Sequence, residues 1–115
     1  MSLDVWLYTE VDTGGDEPHV VSLFDANITH NLNTMADEAG IYNELWRPEE
    51  IGAVHASDIV DAVEAGLKRL VAEREKFEQF DSPGGWGMYE QFVPWVAEYL
   101  AACKEHPKAK IGVSR

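Results

Sequence analysis

The sequence predicts a small α+β domain: a three-stranded, mainly antiparallel sheet with its helices packed on one face, in the order β-β-α-α-α-β. Two observations predict it. The apolar spacing begins with period two, changes to helical spacing after residue 28, and returns to a short β-rich run at the end. With 115 residues and 45% hydrophobic content, the chain has material for one core and no linker to divide it. Residues 1–115 therefore read as a single domain.

Each element follows in order. Leu3, Val5, Leu7 and Val11 alternate with Asp4, Trp6, Tyr8 and Glu10, the pattern of a half-buried strand. Residues 12–18, DTGGDEP, form a connecting loop, and His19 to Ile28 is its hairpin partner. At ITHN the period changes. Leu32, Met35, Ala36 and Ala39 follow helical spacing, with Thr29 or Asn31 as N-cap and Gly40 as the stop. A short helical piece carries Ile41, Tyr42, Leu45 and Trp46 before Pro48 ends it. A longer helix starts at Ser57, read as the N-cap, with stripe residues Ile59, Val63, Leu67, Leu70 and Val71. DSPGGWG, 81–87, is a loop by composition. The last helix presents Phe92, Val96, Tyr99, Leu100 and Cys103, although Pro94 belongs in a first turn or at a kink. Ala109 to Val113 closes the sheet. Trp6 and Tyr8 would then stand on the uncovered face, where either a loop covers them or two copies pack sheet to sheet as a homodimer, the favoured reading.

Charge restricts the partners. The net charge is −12, and residues 1–66 carry fourteen acids against the single base Arg47. Such a field repels phosphate backbones, so general nucleic-acid binding is not expected. No apolar run approaches the roughly 20 residues of a membrane span, and the N-terminal segment has no basic region of a secretory signal. A lone cysteine, Cys103, allows no internal disulfide, which fits a cytoplasmic protein. No cofactor or metal is expected. His19, His30, His55 and His106 are scattered without ligand spacing, and no nucleotide loop or nucleophile elbow occurs.

Two segments are candidate sites. Asn27-Ile28-Thr29-His30-Asn31 places uncharged polar side chains where a strand hands over to a helix. Capping alone would also explain that run. Gly84-Gly85-Trp86-Gly87 allows close backbone approach and offers an indole for stacking, although a tight loop pinned by Trp86 is the simpler reading. If both segments line one pocket, Asn27, Thr29, His30 and Asn31 supply hydrogen bonds, and Trp46, Trp86 and Tyr89 supply stacking surfaces. Tyr42 would add to the walls, and Arg47 is the only base nearby in sequence.

The segments NITHNL, MADEAGIYNELWRPEEIG and GWGMYEQFVPWVAEYLAACKEHP, with the terminal VSR, resemble a family of small uncharacterised proteins of bacteriophages and bacteria, actinobacteria included. The resemblance spans nearly the whole chain and implies a compact cytoplasmic protein with no assigned activity. A phage connection implies a role in host takeover or in countering host defence.

Three functional expectations follow. The first is a non-enzymatic binding protein for a small polar or anionic ligand. The second is an acidic interaction module that occupies a basic surface of a host protein. The third, and weakest, is an enzyme with His30 as general base beside Asp25 or Glu38, since no motif supplies it with a nucleophile or metal.

Overall fold

A computed structural model describes residues 2–115. Strand β1 (Ser2–Val11) is central, flanked by β2 (His19–Thr29) and β3 (Lys110–Ser114), and both pairings are antiparallel. Helices α1 (Asn33–Glu38), α2 (Tyr42–Trp46), α3 (Ser57–Ala72), α4 (Arg74–Glu78) and α5 (Tyr89–Glu105) lie between β2 and β3. The small α+β architecture with an antiparallel three-stranded sheet is thus present. The short α4 and the 3-10 turns His30–Leu32 and Pro48–Ile51 are additions to the predicted elements.

Period two in β1 has the predicted consequence. Leu3, Val5 and Leu7 are almost fully buried, joined on the same face by Ile28, Phe24, Val113 and Ile111. The helices cover that face with Trp46, Phe92, Val96 and Tyr99. Val11, expected on this inner face, is 45% exposed because the hairpin runs past the helical layer. A bulge between Leu7 and Tyr8 leaves Leu23 of β2 without an opposite residue.

The outer sheet face explains Trp6 differently from the prediction. Trp6 lies over Gly112 of β3 so closely that a Cβ there would fall inside the indole. The ring covers a backbone that lacks a side chain, so it is half-buried within its own sheet. Its exposure therefore gives no reason for a sheet-to-sheet dimer.

Helix boundaries also differ at the caps. Thr29, one of the two predicted caps, accepts the Asn31 N–H at 3.4 Å, and the first helical stretch then opens as a 3-10 turn. Ser57 does not cap α3. Asp58 reaches back instead, accepting the N–H groups of Val54 and His55 at 3.0 and 2.9 Å. Val71, assigned to the apolar stripe, is 61% exposed, while Gly66 occupies the buried face. A Cβ at Gly66 would strike Ile41, so the glycine lets α3 approach the segment before α2. Arg69 fastens the same contact, donating from Nε and an NH2 nitrogen to the Ala39 carbonyl at 2.9 and 2.7 Å. No described helix is long and apolar enough to cross a membrane.

Candidate functional site

The strand-to-helix handover and the glycine-rich loop meet. Gly87 has φ +101°, a conformation that favours glycine, and a Cβ there would lie 2.9 Å from the Asn31 Cβ. Asn31 Nδ2 donates to the Trp86 carbonyl at 3.1 Å and ties the loop to the turn. Asp81 anchors the other side, since its Oδ1 accepts the Tyr89 N–H at 2.6 Å and so caps α5. Glycine at 87 and asparagine at 31 are thus required together: one allows the approach, and the other holds it.

Between them lies a cleft of about 640 Å³, within the range of small-molecule sites. Asn27, Thr29, Asn31 and Trp86 line it, with Ser2, Ile28, Gln91 and Trp95 completing the walls. None of the eight is charged. Each amide has one end engaged and the other free. Asn27 Nδ2 donates to Asp4 at 2.6 Å, and Gln91 Oε1 accepts the Met88 N–H at 3.2 Å. The Asn27 and Asn31 oxygens and the Gln91 nitrogen remain for a visitor. Trp95 donates its indole N–H to the Asn27 carbonyl at 3.1 Å and presents little surface, whereas Trp86 is 73% exposed. An exposed indole on a backbone held this firmly is a ready stacking surface.

The other predicted site residues lie elsewhere. Trp46 is fully buried, and its indole N–H donates to His30 Nδ1 at 3.3 Å. Nδ1 thus accepts, which uses the one lone pair that a neutral imidazole has, and Asn33 Nδ2 lies 3.1 Å from Nε2. His30 therefore positions Trp46 and has no lone pair turned to solvent, which opposes the general-base reading. Tyr89 is buried, with its hydroxyl on the Leu70 carbonyl at 2.7 Å. Tyr42 stacks on Trp46 with ring centroids 5.5 Å apart. Arg47 is held by Tyr42 at 3.2 Å and Glu50 at 2.9 Å, outside the cleft. Ser2, Gln91 and Trp95 were missed by sequence reasoning. Gln91 and Trp95 share a face of α5 one turn apart, the only signal that would have found them.

Among the described residues no group of metal-ligating side chains assembles. Cys103 lies on the buried face of α5, where burial pushes its thiol pKa up to about 12, so it stays protonated and packs as an apolar residue. Compared with known protein families, curated proteins and solved structures, the chain finds a match in none of the three.

Proposed function

We propose that the protein is a non-enzymatic binding protein whose cleft takes a small, neutral, polar ligand with one flat face. The observation that carries it is the wall composition: an exposed indole beside three half-free amides, with no charged side chain. An anionic ligand has nothing to draw it there, because Arg47 is engaged elsewhere and the chain's net charge of −12 opposes it. A neutral ligand pays no such electrostatic cost. Its rim hydroxyls or amides would pair with Asn27, Asn31 and Gln91 while its flat face covers Trp86.

The test is indole fluorescence and thermal shift against neutral sugars, polyols and nucleosides, beside phosphate and carboxylates as controls. A saturable response to a neutral member, lost in Trp86→Ala with the melting temperature unchanged, is the expected result. A response to the anions alone, or to nothing, would refute it.

The charge distribution favours a second reading, an acidic module on a basic protein surface. Glu10, Asp12, Asp16 and Glu17 cluster at the free end of the hairpin, and among the described residues only Glu10 has a basic partner, Lys110 at 3.2 Å. Capture of a basic partner that weakens as salt rises is its signature, and salt-independent capture opposes it.

A further inference from the structure

The sheet has two edges, and they are covered unequally. On β3, the Ile111 N–H donates to the Val54 carbonyl at 3.0 Å, and His55 bridges Lys110. On β2, the Trp95 indole caps the Asn27 carbonyl. Among the described residues, no backbone hydrogen bond from outside the hairpin reaches Val20, Ser22 or Asp25.

These contacts fix which backbone groups point outward. Ile111 turns its N–H away from β1, so its opposite residue Leu7 faces β2, and Trp6, one residue earlier, faces β3. Asp25 lies opposite Trp6 and so presents its N–H and C=O to solvent. Asn27, two residues on, agrees, since its carbonyl is free for Trp95. Beyond the bulge, Ser22 and Val20 lie opposite Tyr8 and Glu10 and face outward by the same alternation. This open edge is apolar: Val20 is 56% exposed and Leu23 38%. Lysine and proline, two residues that guard such edges, are absent from His19–Thr29, and the bulge at Leu23 is the local irregularity a visiting strand would have to follow.

We propose that the β2 edge from Val20 to Asp25 accepts an extended segment of a basic partner polypeptide as a fourth strand of the sheet. Charge selects the occupant. Asp25 lies on the edge strand, and Asp12, Asp16 and Glu17 stand at the hairpin end beside it. A second copy would bring the same acids and another net charge of −12, whereas lysines or arginines on alternate positions of a visiting strand would neutralise them. The proposal rests on the second reading above and supplies its docking mode. It is independent of the cleft.

The experiment is an amide-resolved NMR titration of the full chain with an end-capped peptide alternating Lys and Val. A Glu–Val peptide and a backbone N-methylated Lys–Val peptide serve as controls. Asp25→Pro removes an outward N–H and no ladder bond, the position where an edge strand tolerates proline, and Asp25→Asn removes only the charge. The expected result is that the Val20, Ser22 and Asp25 amides shift and gain exchange protection. Asp25→Pro and N-methylation should each weaken binding by about tenfold or more, the loss of roughly one buried hydrogen bond or more, and Asp25→Asn by clearly less. N-methylation keeps the test decisive should Asp25→Pro unfold. Lys–Val binding that ignores both changes, with shifts confined to residues 12–17, would overturn strand addition while leaving the acidic-module reading. No binding would overturn both. A dimer that Asp25→Pro makes monomeric would assign the edge to a second copy and overturn the basic partner.

Discussion

At the residue scale, Tyr99 carries an unmet polar group into the core. Its ring is fully buried between Phe24, stacked at 6.0 Å, and Trp95 at 5.7 Å, but its hydroxyl has no hydrogen-bond partner. Burial raises its pKa far above the ordinary value, so the group stays neutral and unsatisfied. Tyr99→Phe should therefore stabilise the fold by about 1 kcal/mol, the order of an unmet buried hydroxyl, as read from chemical denaturation. Asp58 is the opposite case. The His55 N–H first, and then that of Val54, hold its carboxyl below the ordinary 3.8. A depressed pKa contributes stability above the unfolded value and loses it as pH falls through the folded one. The melting temperature of Asp58→Asn should thus lie below that of the parent at neutral pH and converge with it below pH 3.8. The sequence reading assigned the cap to Ser57. Which side chain turns back to the preceding amides depends on the fold of 53–56, which composition does not specify.

At the scale of elements, legibility followed length and periodicity. β1, α3 and α5 were readable because each repeats its spacing several times, and β2 and β3 from their β-rich composition. The five-residue α4 has no such repeat, and tertiary packing of Phe77 fixes it. Pro94 shows the same override. It lies inside α5 on the solvent side, where the ring avoids the core and only the Glu90 carbonyl loses its helical partner. Of the candidate site, ITHN and GGWG were each legible as chain reversals, because polar caps and glycine turns mark them, but their meeting was posed only as a condition. The identity of the walls was not. Trp46 and Tyr89 are aromatic enough to stack on a ligand, yet the core claims both, and sequence does not tell a core indole from a surface one. Gly66 is the element-scale test: Ala there should cost about 1–3 kcal/mol through overpacking against Ile41, despite its better helix propensity.

At the scale of the whole molecule, the body and the hairpin arm are unequal. The principal extents are 53 × 27 × 23 Å, and the arm supplies much of the long axis. From Thr9 to Val21 its side chains are almost all exposed, so they contribute little to the core. A two-stranded ribbon without a packed face is marginally stable. Replacing residues 10–19 by a tight turn should leave the melting temperature nearly unchanged. Amides of the arm should exchange with solvent far faster than those of Leu3 to Leu7, as hydrogen–deuterium exchange will show.

The solitary thiol of Cys103 makes the chain its own stopwatch. Buried and protonated, it is invisible to a disulfide-exchange reagent until α5 lifts away from the body. The labelling rate at saturating reagent therefore reads the opening rate of the core directly, without any engineered probe. Loosening the arm should leave that clock untouched, and loosening α5 should make it run fast.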